Sequence, residues 1–159
     1  MKKLTSDIEN IISNCNNQIN DQIFGINYLE KLKYLLIDKL KEKKINGLDR
    51  ILEESEVLFD KSYGQNNLSI TIESNTSPIE KSLNESSNDV LSIVLRGIKS
   101  IDIYQSKASK SLHSLKLLPK SGIVLSKNTY IVEKISKDSI ILDIANNYDS
   151  FKKDINVEI

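Results

Sequence analysis

The sequence predicts an α+β fold, an N-terminal helical segment followed by an antiparallel β-sandwich or barrel. Three observations carry this. Through about the first sixty residues, apolar side chains recur every third or fourth position, the spacing of one helix face. At Tyr63-Gly64-Gln65-Asn66-Asn67 the period changes to two, the spacing of a half-buried strand. About seven short strands then follow at close intervals with no helical stretch between them, which points to antiparallel layers rather than β–α–β units. The chain therefore divides into a helical extension, residues 1–62, and a β domain, residues 63–159.

The first helix carries Leu4, Ile8, Ile11, Ile12, Cys15 and Ile19 on one stripe, with Ser6 and Glu9 spaced as a capping box. A second is expected over 28–43, with Leu29, Leu32, Leu35, Leu36 and Leu40 inward and lysines outward; Asn46-Gly47 ends it. A third, shorter helix is expected on Leu48, Ile51, Leu52, Leu58 and Phe59. These amphipathic helices need a partner surface, either the β domain or a second subunit. The first strand reads Leu68, Ile70, Ile72 against Ser69, Thr71, Glu73, and a polar loop, 74–88, follows. Strands over 90–95 and 98–104 flank Arg96-Gly97 and read as a tight hairpin. Further strands are expected over 112–118, 123–125, 129–135 and 139–144, with turns at Pro119-Lys120-Ser121-Gly122 and Lys137-Asp138. Ile155, Val157 and Ile159 alternate and suit an edge strand.

Composition narrows the function classes. Lys+Arg and Asp+Glu are equal at 22 each, so no global field draws the chain to nucleic acid or an anionic membrane. The six tyrosines are dispersed and form no stacking platform for single strands. No apolar run is long enough to span a bilayer, and Met1-Lys2-Lys3-Leu4-Thr5-Ser6-Asp7 lacks the apolar stretch of a secretory signal, so a cytoplasmic location is expected. Cys15 is the single cysteine and reads as a small apolar residue in a helix stripe. With five glycines, and neither a P-loop nor a nucleophile elbow, phosphate-cradling and esterase chemistry are not indicated.

Residues 68–146 resemble a cupin, a small jelly-roll barrel. The order of elements carries the resemblance: a strand and polar loop, then "SIVLRGIKSIDIY" near the family's strand–Gly–strand signature, "LLPKSGIVLSKNT", and a last strand "DSIILDI". The resemblance implies a barrel lumen able to take a small molecule and a tendency to dimerise through sheets. It also implies a metal held by three histidines and a glutamate. Those positions carry other residues. Anchored on Gly97, the histidine slots are Leu83 and Glu85, or Asn84 and Ser86, and the carboxylate slot is Val90, with Asp89 one residue away. The second motif places Ile131, beside Tyr130, or Val124 at its histidine. Borderline transition metals need several imidazoles to compete with water, and this chain has one histidine. No metal and no cofactor is expected; an oxygen-only site from Glu80, Glu85 and Asp89 is the remaining way to hold Ca²⁺ or Mg²⁺.

The expected function is a cupin-like binding or structural module without a conventional metal site, forming a homodimer, with neither nucleic acid nor membrane as partner. The alternatives are a metal-independent isomerase, epimerase or lyase, or a metal-dependent dioxygenase with atypical ligands. In the enzyme reading His113, alternating with Leu115 and Leu117, is the candidate base, and Tyr104 or Tyr130 the acid across the lumen. Arg96, beside the hairpin glycine, and Glu85 are the candidate ligand-binding residues, since a guanidinium forks carboxylate or phosphate. Each has a plainer role: a strand histidine, a turn arginine or a solvated acid.

Overall fold

A computed structural model of the chain describes residues 2–19, 25–42, 56–63, 66–85, 88–104 and 110–146. Two helices, α1 (Lys2–Asn17) and α2 (Ile26–Glu42), precede nine strands: β1 (Glu56–Tyr63), β2 (Asn66–Asn75), β3 (Ile79–Glu85), β4 (Val90–Arg96), β5 (Lys99–Tyr104), β6 (Ser111–Leu117), β7 (Ser121–Leu125), β8 (Tyr130–Ile135) and β9 (Ser139–Asn146). The strands form two antiparallel sheets, β1-β2-β9-β4-β7 and β3-β8-β5-β6. From β2 onward the chain changes sheet at every connection except β5 to β6, which makes the structure a roll rather than a stack of hairpins.

The α1 stripe packs as its spacing requires: Leu4, Ile8, Ile11, Ile12, Cys15 and Ile19 are all buried. Leu29, Leu32, Leu36 and Leu40 of α2 join them, Leu35 is half-buried, and Tyr28 adds a buried ring whose hydroxyl donates to Asn16 Oδ1 across the helix pair. Together they cover one face of the five-stranded sheet, against Leu68, Ile70, Ile72, Leu91, Ile93, Leu95, Ile140, Leu142 and Ile144. The helices are thus half of a core. Because β4 is covered by helices on one face and by the opposing sheet on the other, Leu91 to Leu95 are buried without interruption. A second apolar cluster (Val94, Ile101, Leu117, Leu125, Ile131, Ile135 and Ile141) lies between the sheets.

Four expectations are corrected. The stretch expected as a hairpin is a corner: β4 pairs with β7 and β9, β5 with β6 and β8, and Gly97 between them has φ +88°. A Cβ there would stand 2.7 Å from Ser139 Cβ, so glycine supplies both the left-handed backbone and the close approach of β9. Leu58 and Phe59, expected in a third helix, belong to β1; all eight residues of β1 pair with β2, and this pairing overrides the helical spacing. The other residues expected in that helix, Leu48, Ile51 and Leu52, lie outside the described residues, as does the alternating tail 155–159. The polar loop 74–88 contains β3, an edge strand so exposed that it carries no hydrophobic alternation. Finally, α1 begins at Lys2, so Ser6 lies inside the helix and is not its cap. The two expected turns fall in place, with Lys120 and Asp138 at positive φ, and Asn128 marks a further turn between β7 and β8.

Candidate functional site

Cross-strand partners share a face, so the register settles what points between the sheets. From the four-stranded sheet come Lys99, Ile101 and Ile103 of β5, Leu115 and Leu117 of β6, and Ile131, Glu133 and Ile135 of β8. Facing them are Ser69, Thr71 and Glu73 of β2, Val90, Ser92 and Val94 of β4, and Ile141, Asp143 and Ala145 of β9. Two charged residues facing this space, Lys99 and Glu133, are buried, at 3% and 8% exposure.

They are paired. Lys99 Nζ lies 2.7 Å from Glu133 Oε2, donates to Ser92 Oγ at 2.9 Å, and stands 4.0 Å from Asp143 Oδ1. One ammonium therefore bridges the two sheets, anchored on β5 and reaching β8, β4 and β9. Burial by itself lowers the Lys99 pKa. The charges of Asp143 and then Glu133, the hydrogen bond to Glu133, and the charge of Glu73 outweigh it, leaving the amine above its ordinary 10.5. Glu73 continues the network to Lys81 at 3.6 Å and accepts from Asn75 Nδ2 at 3.0 Å. With every group ionised, three carboxylates face two ammoniums.

Asp143 differs from Glu133. At 4.0 Å it is too far from Lys99 Nζ to be hydrogen-bonded, and its buried Oδ1 has no hydrogen-bond partner among the described residues. Its side chain is nonetheless 30% exposed. The roll explains this. At one end Val94, Leu117, Ile135 and Ser139 close the interior. Toward the other, Ser69, Thr71, Val90, Ile103, Ile123 and Ala145 are only half-buried. Asp143 thus lies toward the less buried end of the interior, a carboxylate beside a fixed ammonium.

The ligand set of a metal-binding roll does not fit these residues. The slots of the expected motifs hold Leu83, Glu85, Val90, Ile131 and Val124, none of them a nitrogen donor. Among the described residues no group of three His, Cys, Asp or Glu side chains is placed to hold an ion. Glu80 lies 3.9 Å from Lys134, Glu85 sits five residues farther along an exposed strand, and Asp89 Oδ1 accepts the Lys127 N–H at 2.7 Å, so the three expected oxygen ligands do not converge. The carboxylates that do converge are gathered by Lys99, whose ammonium already supplies the cation.

The other expected site residues are dispersed. His113 shares its face with Leu115 and Leu117, as the alternation requires, but it lies on the edge strand β6 and is exposed. Tyr104 and Tyr130 are cross-strand partners, with Glu85 opposite Tyr130, and this row lies on the outer face of the sheet, away from His113. Arg96 is half-buried at the far end of β4, beside the Gly97 corner. Lys99, Glu133 and Asp143 went unremarked in the sequence although a signal was present: each occupies the inward parity of its strand, with Ile101 and Ile103, with Ile131 and Ile135, and with Ile141 respectively.

No protein-family model and no curated protein matches the sequence. The solved structures similar to it include a cupin superfamily protein from Desulfitobacterium hafniense, 14% identical, with a TM-score of 0.47 over 66% of this chain and 91% of that one. KdgF from a Halomonas species is 12% identical, with a TM-score of 0.45 over 61% and 83%. The CENP-C cupin domain of Drosophila melanogaster is 13% identical, with a TM-score of 0.41 over 55% and 74%. The antiparallel roll expected from the sequence is present in the strand order itself, and the roles of individual residues follow from their own geometry.

Proposed function

We propose that the chain is a cytoplasmic, cupin-like binding module without a conventional metal site, whose roll receives a small polar molecule at its less buried end. The observation that carries this is the Asp143 carboxylate: one oxygen buried and unpartnered among the described residues, the side chain partly open, and Lys99 fixed alongside. A carboxylate in this position favours a ligand that donates hydrogen bonds, a polyhydroxyl compound or an ammonium. The excess of carboxylates over ammoniums disfavours an anion. Ser69 and Thr71 add hydroxyls on the same face.

A non-catalytic role suits this set better than the isomerase, epimerase or lyase alternative. Lys99 held as an ammonium has no lone pair with which to attack a carbonyl. His113 and the two tyrosines occupy opposite faces of their sheet, so they do not share a substrate.

The test is an amide-resolved NMR titration with glycerol, myo-inositol, ethanolamine, acetate and inorganic phosphate. Shifts for a hydroxyl or ammonium compound at residues 69–71, 103 and 143–145, lost in Asp143→Asn, support the proposal. Binding only of the anions, or no shift at these residues with any of the five, contradicts it.

A further inference from the structure

One exposed face of α2 is unusual in being complementary to itself. Beside its buried stripe the helix presents Glu30, Lys33, Tyr34, Ile37, Asp38 and Lys41, which together line a groove of about 460 Å³; Lys33 and Ile37 are half-buried, and Ile37 also packs against the core. Tyr34 is 74% exposed, the most open of the exposed large apolar side chains among the described residues. A second groove, lined by Ile19, Leu35 and Glu30 among others, flanks the same ring, so Tyr34 stands as a ridge between two hollows.

The order of these residues reads alike from either end once charge is inverted. Let two copies of α2 lie antiparallel about a two-fold axis passing midway between Leu35 and Leu36. Glu30 then faces Lys41 of the other copy, Lys33 faces Asp38, and Tyr34 faces Ile37. The same three pairs recur on the other side of the axis, as a two-fold interface demands. Both apolar residues fall at the centre, both charged pairs fall outside them, and no like charges meet. Parallel packing in register would set each charge against itself. The spacing of three, one, three, one and three residues keeps the stripe on one side of the helix through three turns, enough for ridges-into-grooves contact.

We propose that this face of α2 is a homodimer interface, in which Tyr34 of each copy seats in the groove of the other beside Ile37. It gives the expected homodimer a helical contact rather than one between sheets, and it stands independently of the ligand proposed for the roll.

Charge swapping in the full chain tests it. Light scattering and sedimentation velocity are expected to give twice the 18.0 kDa chain mass. Glu30→Lys sets lysine against Lys41 twice by symmetry, and Lys41→Glu does the same with carboxylates. Each single reversal is expected to weaken association about tenfold, as the loss of two ion pairs and gain of two repulsions implies. The double variant Glu30→Lys/Lys41→Glu is expected to restore the wild-type constant. The two positions are eleven residues apart, about 16 Å along the helix, so the rescue cannot arise within one copy. Tyr34→Ala is expected to weaken the dimer more than either reversal, and circular dichroism should report unchanged helix content throughout. A wild-type monomer at every concentration overturns the proposal. So does a dimer indifferent to Tyr34→Ala, or a double swap no better than its parents.

Discussion

Replacing Lys99 with methionine keeps an unbranched side chain of similar length and removes only the charge. The cost follows from what it leaves behind. Glu133, with 11% of its side chain exposed, loses its only ion-pair partner among the described residues, a contact of 2.7 Å. Ser92 Oγ, fully buried, loses a donor at 2.9 Å. Breaking a buried pair by removing one member costs about 3–5 kcal/mol, because the survivor is an uncompensated charge. For a chain of this size, that corresponds to a fall in Tm of about 6–20 °C at roughly 2–4 °C per kcal/mol. The assay is urea and thermal unfolding of wild type, Lys99→Met, Glu133→Leu and the double variant. Lys99→Met/Glu133→Leu, with neither charge left, is expected to regain most of the loss and to lie within about 2 kcal/mol of wild type. A Lys99→Met protein melting within about 2 °C of wild type would refute the reasoning, since the pair would then contribute almost nothing.

Three further outcomes are expected. Since the Lys99 pKa is raised in the folded chain, the unfolded chain loses that proton first as pH climbs. The stabilisation is complete below about 10.5 and drains away as pH rises through the higher folded value, so wild type should lose more stability between pH 9 and 12 than Lys99→Met does in parallel urea titrations. Gly97→Ala forces a side chain into a backbone at φ +88° and against Ser139, and is expected to cost about 2 kcal/mol or more, read as a lower urea midpoint. Leu32→Ala, at a fully buried position, is expected to cost about 2–5 kcal/mol and to destabilise sheet and helices together, with near-ultraviolet and far-ultraviolet signals melting in one transition. Separate transitions would show that the helices are not part of the core of the roll.

Much of the fold was legible because burial on one face writes itself into the sequence. Leu68, Ile70 and Ile72 alternate with polar residues, and the isoleucines of α1 recur at helical spacing, so both kinds of element could be read locally. Pairing could not. Arg96-Gly97 between two apolar strands has the form of a hairpin turn, whereas the same glycine sends the chain from one sheet to the other. Local alternation reports which face is buried but not which strand lies beside it. The uninterrupted apolar run 93–95 was the clue, since burial on both faces belongs to a strand covered by helices and by a second sheet. At β3 the information is weaker still, because this edge strand buries only part of Ile79 and is otherwise held by backbone pairing to β8 and by the ion pairs of Glu80 and Lys81.

The candidate site was missed for a related reason. The residue types associated with chemistry, a lone histidine, tyrosines and a turn arginine, lie on opposite faces or at opposite ends of the roll. The charges that matter are ordinary lysine, glutamate and aspartate, distinguished only by standing where isoleucine stands two positions away. Asp102 and Lys134 occupy the same strands at the other parity and face outward, so the parity of Lys99 and Glu133 marks them and composition does not.

The central claim is that a buried, fully charged Lys99 organises the interior of the roll. It is tested most directly by nitrogen-15 NMR of the Lys99 side chain across the alkaline range. A slowly exchanging ammonium signal is expected to survive above pH 10.5 and to titrate earlier in Glu133→Gln. A neutral amine at pH 8, or a Lys99 signal that is lost below pH 10.5 and is unmoved by Glu133→Gln, would contradict it.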